Sequence, residues 1–531
     1  MSSSEYVEFQ NSAGASRSVG RHWQFGILLL CTLAGGGQIV LLASNVPLGI
    51  VNEWVWPRFE LQFEPLQIIL LFFAVLITCG LLRLSLRPTE SVTFEFTWVL
   101  GVLLCGVLWI NAAWSVMPEM NGQVRSVYVL FYPRTSGYYW QAKYEVANIG
   151  EFLSDYQQSI EDQSNPDNYL HIGTHPPGLT ISHRILLNLC HASPQLVRAL
   201  ESLQPSSVRD AFAFLTQANR QQSAAIDQAD LSALWLAVLL SQLIGVCAVV
   251  PLYALAREFC TKPAARIISV LWLFVPAVLV FLPKSDAVFP CLACGIQWLW
   301  FKALQKNSPV LGALTAVVLI ASAMLSLAFM TVGVILGLQL VHQQYTQRNV
   351  LRPFLGGLIV GVIILAATYS LTDLNLPGIW LQNFRNHAAF YDHNARSYFD
   401  WLGANIVEVC CALGGPFAVL AIAGTIHLLR RCRDQSDFAV LSGLAVWGLL
   451  WMSGKNMGEA ARLWIFLMPY AAWAAAVCID QMLSSQRADR PHHKQSRRFA
   501  VPFSLLWVVC LQVVVCFFAM LVVDGFGFTQ L

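Results

Sequence analysis

Long apolar runs, interrupted by short polar clusters, dominate this chain from about residue 24 onward. A helix needs roughly 20 apolar residues to cross about 30 Å of hydrocarbon, and a spanning segment must satisfy its own backbone hydrogen bonds there. The runs are continuous rather than alternating, so they predict helices. About thirteen crossings are expected, near 24–44, 66–84, 96–116, 232–256, 266–282, 287–305, 309–324, 326–343, 353–371, 402–429, 437–453, 464–482 and 500–524. The apolar stretch from Val310 to Val341 exceeds one crossing and is expected to divide at Ser322 to Ser326.

Lys and Arg are retained on the cytoplasmic side of a membrane. Arg17 and Arg21 precede the first run, which predicts a cytoplasmic N-terminus. Arg83/Arg87, Arg257/Lys262/Arg266, Lys302/Lys306, Arg348/Arg352, Arg430/Arg431/Arg433 and the basic run 487–498 then fall on that side too. The predicted organisation is a cytoplasmic tail 1–23, a three-helix membrane segment 24–116 and an extracytoplasmic loop 117–231. A membrane core 232–482 follows, with outer-face loops 283–286, 372–401 and 454–463, then a basic cytoplasmic loop 483–499 and a last helix with outer C-terminus, 500–531. The fold class is an all-α polytopic protein of the inner (cytoplasmic) membrane, with interfacial helices in its large outer loop.

Composition agrees: 56% of residues are hydrophobic and 12% charged, against roughly 25% charged in soluble domains. A net charge of +2 without a basic stripe interleaved with aromatics excludes a nucleic-acid partner. Nearly all cysteines fall in predicted helices or on the cytoplasmic side, Cys190 being the main exception, so no outer disulfide framework is expected. Cys291 and Cys294, at CxxC spacing within a helix, read as packing.

The chemistry must lie in the outer polar clusters. The loop 117–231 opens with Tyr128, Phe131, Tyr132, Tyr138, Tyr139 and Trp140, and continues through a helix-like stretch from Tyr139 to Ser159 carrying Glu145, Glu151 and Asp155. It then gives His171-Ile-Gly-Thr-His175-Pro-Pro-Gly178. Two prolines remove amide donors and push their predecessors to extended geometry, so His175 is expected on a stiff elbow before an interfacial helix over 179–190. His titrates near neutral pH, which gives His171 and His175 an acid/base or ligand role; no metal-ligand spacing is recognisable.

Lys284-Ser-Asp286 pins a carboxylate at a helix start. The loop 372–401 sets Arg385, His387 and Arg396 among Asn383, Asn386 and several aromatic residues, the donors and cations a sugar phosphate requires. Lys455, Glu459 and Arg462 follow in 454–464; Glu459 and Arg462 share a helix face close to hydrocarbon, where a lone charge costs about 2.5–3.5 kcal/mol. Asn405 and Glu408, also three apart, should face the interior or a wet cavity.

Thr174-His-Pro-Pro-Gly178, Ser285-Asp-Ala-Val-Phe289 and Gly458-Glu-Ala-Ala-Arg462, in this order, resemble the GT-C superfamily of polyprenyl-phosphate-sugar-dependent membrane glycosyltransferases. A His-Pro-Pro step of this kind occurs in its protein mannosyltransferase-like and aminoarabinose-transferase-like members, and the chain looks like a divergent bacterial branch. The resemblance spans about Tyr128 to Tyr470, with the first two helices an N-terminal addition. The family places a catalytic Asp near a Gly-Tyr-Tyr-like step; here Thr135-Ser136-Gly137-Tyr138-Tyr139 has Ser136 at that place.

The resemblance implies inverting transfer of a sugar from a polyprenyl phosphate to a glycan, lipid or protein acceptor at the outer membrane surface. Asp155 or Glu145 is then the expected base, with His175 or Asp286 orienting it. Arg396, Arg462 and Lys455 are expected to stabilise the leaving phosphate, within a binding set that also includes His171, Arg385, His387 and Glu459. Whether a divalent cation assists is open. A transporter or lipid flippase, with charges at mid-membrane, and an inactive scaffold of the same fold are the rival readings.

Overall fold

The computed structural model describes residues 3–118, 122–162, 172–219, 225–347, 350–431, 435–488 and 501–527. Among them nine helices are long and apolar enough to cross a membrane, beginning with His22–Ala43 and ending with Phe503–Val522. A further pair, Tyr398–Leu413 and Gly415–Arg431, is bent by 106° where one straight crossing over 402–429 is expected. Three more expected crossings are helices that miss the length or apolarity of a span. Pro309–Ala323 is short, while Ala328–Gln347 and Gln435–Met452 carry polar residues such as Gln339, Gln343, Asp437 and Ser442. The division expected at Ser322–Ser326 is present between the first two of these.

The bend has a local cause. Gly414 adopts φ +90°, and a Cβ there would lie 2.3 Å from the Gln512 amide. A helix broken in hydrocarbon needs side chains to satisfy its freed backbone groups. Gln512 Nε2 donates to the carbonyls of Leu413 (2.9 Å) and Phe274 (2.8 Å), and its Oε1 accepts from Phe417 N (3.2 Å). Gln38 works from the other side, accepting from Gly415 N (2.7 Å) and donating to Cys411 O (2.8 Å).

Elsewhere in the core, the amides of Gln297 and Gln339 pair, Tyr470 donates to Gln297 and Gln339 donates to Ser442, so polar bonds join four helices.

The connecting segments gather at two ends. At one, Arg266 pairs with Glu95, Lys302 with Glu258, Arg431 with Asp437, and Thr261 bonds Asp480. At the other lie the hairpin around residue 53 and segments 123–162, 172–219, 282–288, 373–397, 453–462 and 523–527. Two short strands, Gly49–Ile50 and Trp54–Val55, form that hairpin, a small β element in a chain expected to be all helix.

The large loop folds into helices Gln123–Phe131, Tyr138–Tyr144, Ile149–Glu161, Gly178–Ala192, Pro194–Ser202 and Ser206–Ala218. The single helix-like stretch expected over 139–159 is two helices. The second starts at Asn148, whose side chain accepts from Gly150 N (2.7 Å) and caps it. The helix expected after Pro-Pro is present, and its Gly178 permits close approach: its N–H donates to Met324 O (2.9 Å), and a Cβ would lie 2.4 Å from that oxygen.

Candidate active site

Three segments far apart in sequence meet around Arg462. Its Nη2 lies 2.9 Å from Glu459 Oε2, and its Nε lies 3.6 Å from Asp286 Oδ2. Arg462 and Asp286 are buried, and Glu459 is half-buried. Lys284, also buried, joins them: lost hydration first, then the Arg462 charge, push its amine down to about 7, while Asp286 and Glu459 pull the other way. Tyr138 packs against this group, and burial followed by the Asp286 charge raises its phenol well above the ordinary range.

Glu459 ends a loop whose backbone is unusual and is the N-cap residue of the single-turn helix Ala460–Leu463 that carries Arg462. Gly454, Asn456, Gly458 and Glu459 all have φ between +57° and +83°. A non-glycine residue held there costs about 1–3 kcal/mol and persists only where its surroundings over-determine it. Here Tyr391 Oη accepts from Met457 N (3.0 Å), Asn405 Oδ1 from Gly458 N (3.4 Å) and Glu408 Oε2 from Ala461 N (3.3 Å). Asn405 Nδ2 donates back to Asn456 O (3.3 Å). Asn405 and Glu408 are thus supports for the loop that presents Glu459 and Arg462.

A cavity of about 610 Å³ opens beside this loop, lined by Glu459 and Arg462, by Arg134 and Thr135, and by the hairpin 52–57 with Glu53, Trp54 and Trp56. Glu53 carries no sequence motif. Its carboxylate accepts from Ser397 N (3.1 and 3.0 Å) and from Trp401 Nε1 (2.6 Å). The Ser397 side chain first, then its backbone N–H, with smaller help from Trp401 and the Arg396 charge, hold it below the usual carboxylate range against some lost hydration. Arg396 stacks its guanidinium 5.6 Å from the centroid of the Trp401 ring. Burial lowers the Arg396 proton affinity, which the charges of Glu459 and Glu53 partly restore.

His175 lies on the expected elbow. Tyr156 Oη (2.6 Å) and Asn383 Nδ2 (3.1 Å) donate to its carbonyl, and its ring stands edge-on to Tyr138, 5.7 Å between centroids. Asn383 and Asn386 also donate to Gly173 O, at 2.8 and 2.9 Å, so these amides clamp the His175 turn. His387 is near His175 and Lys455: burial, then the charges of these two, lowers its imidazole to about 4. It is therefore neutral at pH 7 and offers hydrogen bonds rather than the positive charge expected of a phosphate-binding residue. Lys455 lies 4.3 Å from the centre of the Phe384 ring, its amine lowered by lost hydration. Arg385 is exposed. His171 lies outside the described residues.

Asp155 and Glu145 line a separate cavity of about 360 Å³, with Trp140, Gln141 and Glu151, apart from the lining around Arg462. The structure thus brings together Asp286, Glu459 and Arg462, sets His175 beside Tyr138, and puts Asp155 and Glu145 in the neighbouring cleft. A grouping the sequence reading misses is His191 with Asp227 and Asp230, whose ligand atoms lie within 4.8 Å of one another. Lys143 pairs with Asp230 there, so one of the two carboxylates already has a cationic partner.

An almost wholly helical membrane protein with a polar pocket at one end is the class these observations define. Residues 230–371, about a quarter of the chain, match the model of the family described as dolichyl-phosphate-mannose-protein mannosyltransferase. The matched region contains Lys284 and Asp286 but stops short of Glu459 and Arg462. Among solved structures the chain is similar to the oligosaccharyltransferase AglB of Archaeoglobus fulgidus in complex with an inhibitory peptide and a dolichol-phosphate (TM-score 0.48, 13% identity, 81% of this chain). It is also similar to the Archaeoglobus fulgidus oligosaccharyltransferase tethered to an acceptor peptide through a disulfide (0.48, 15%, 83%). The chain spans 57% of the length of each. No curated protein matches the chain.

Proposed function

We propose that this protein transfers a sugar from a polyprenyl-phosphate donor to a glycan, lipid or protein acceptor at the extracytoplasmic face of the inner membrane. The observation that carries the reading is the Asp286–Arg462–Glu459 cluster at the edge of a roomy polar cavity with aromatic walls. Cations beside a cavity suit a phosphate. The Lys and Arg distribution along the chain supports the outer face for this end.

In this reading the acceptor hydroxyl loses its proton to Glu459, the carboxylate of the cluster that lines the cavity. The acceptor oxygen attacks the anomeric carbon from the side opposite the phosphate. The bond from that carbon to the phosphate oxygen breaks, the electron pair leaves with the polyprenyl phosphate, and the configuration inverts. Arg462 and Arg134 meet the developing phosphate charge, a fixed electrostatic contribution of the kind that dominates many reactions. Asp286 orients Arg462 from behind. The ion pairs described lie in the connecting segments at the two ends, and the polar bonds described in the core join uncharged side chains, which favours this over a transporter with charges at mid-membrane.

Deleting the gene should make lipid-linked sugars accumulate and remove one envelope glycan, both reversed by the wild-type chain. Unchanged lipid-linked sugars and glycans in the deletion strain would contradict the reading.

A further inference from the structure

The hairpin around Glu53 belongs to the segment set apart in the sequence as an N-terminal addition, yet it forms a wall of the cavity. Its tip turns through Asn52 at φ +71° and aims the Glu53 carboxylate at the first turn of helix Tyr398–Leu413. That helix has no side-chain cap of its own; Glu53 supplies a negative charge at its N-terminus. The bonded Trp401 is fully buried, its ring 6.3 Å from Trp54, and a Cβ on Gly458 would meet it at 3.2 Å. From Trp401 the same helix face continues to Asn405 and Glu408, the supports of the Glu459–Arg462 loop.

We infer that Glu53 is a positioning residue of the transfer site: it latches the start of helix Tyr398–Leu413, and through Trp401 and Arg396 sets the loop that carries Glu459 and Arg462. This rests on the proposed transfer reaction for its consequence, but not for its geometry. Glu53 itself accepts hydrogen bonds from Ser397 N, shared by both oxygens, and from Trp401, and it faces Arg396, which commits the carboxylate to holding the helix start as an anchor rather than a base.

The test uses the full-length chain with S397C, which keeps the backbone N–H that Glu53 engages, in three backgrounds: Glu53, E53A and E53Q. N-ethylmaleimide labelling at position 397 is quantified by peptide mass spectrometry, alongside consumption of the lipid-linked sugars extracted from the deletion strain, with that strain's envelope fraction present as acceptor. Loss of charge-assisted hydrogen bonds by E53A should raise labelling and slow consumption by about tenfold each. E53Q, which keeps an acceptor for Trp401, should restore most of both. Equal labelling in all three backgrounds overturns the latch whatever the transfer rate. Raised labelling in E53A with undiminished transfer overturns its positioning role. Labelling that follows the expected order while neither the Glu53 parent nor the wild-type chain consumes the donor supports the latch and removes the transfer reading instead.

Discussion

His387 and Lys284 are basic side chains taken out of water, and each loses proton affinity in the folded chain. For His387 the unfolded state binds more protons between about pH 4 and the ordinary imidazole value, so folded stability rises with pH through that window. Acidification from pH 7 to 5 should therefore lower the stability of the wild type by about 1–2 kcal/mol more than that of H387Q, read from thermal unfolding at both pH values. Lys284, lowered to about 7, opposes folding when charged, and this penalty is full below that pH and relieved as pH rises toward the free-amine value. K284M should accordingly raise the melting temperature at pH 6. A lower melting temperature for K284M at that pH would show that the buried amine stabilises the fold. At this scale the charges near hydrocarbon, Asp286, Glu459 and Arg462, are legible in the sequence because a lone ion there is so unfavourable. Asn386 is misleading: its residue type suits a ligand, but it is committed to Gly173 O and Ile160 O. Glu53 is illegible because nothing in a Val-Asn-Glu-Trp tip announces which distant helix it will cap.

Element by element, apolar run length locates helices at all thirteen expected places, since hydrocarbon leaves the backbone little alternative. Straightness is another matter. The break at Gly414 depends on Gln512 and Gln38 arriving from helices about a hundred and nearly four hundred residues away, which no local pattern encodes. Q512L should leave the Leu413 and Phe274 carbonyls and the Phe417 N–H unsatisfied, each costing about 1–3 kcal/mol. The expected result is a marked fall in melting temperature of the detergent-purified protein, with Q512A no better. A variant as stable as wild type would show that the bend does not need the amide. G178A should likewise destabilise, because its methyl would strike the Met324 carbonyl and displace the His175 elbow.

Across the whole molecule, the large loop, the segments 282–288, 373–397, 453–462 and 523–527, and one hairpin from the N-terminal region contribute to one end of the helical bundle. The sequence places most of these segments on one face through its Lys and Arg distribution, but it does not resolve which carboxylate meets the cations. Asp155 and Glu145 share the outer loop with the Pro-Pro elbow, and only the folded chain separates their cleft from the cavity of Glu459 and Arg462. D155N and E145Q should therefore retain most of the activity that E459Q and R462A lose. The most direct measurement is consumption of the lipid-linked sugars extracted from a deletion strain by the purified chain in proteoliposomes supplied with that strain's envelope fraction as acceptor, followed by mass spectrometry. Wild type should consume them, with E459Q and R462A slower by about a hundredfold or more; no consumption by wild type, or equal rates in wild type and both variants, would contradict the central claim.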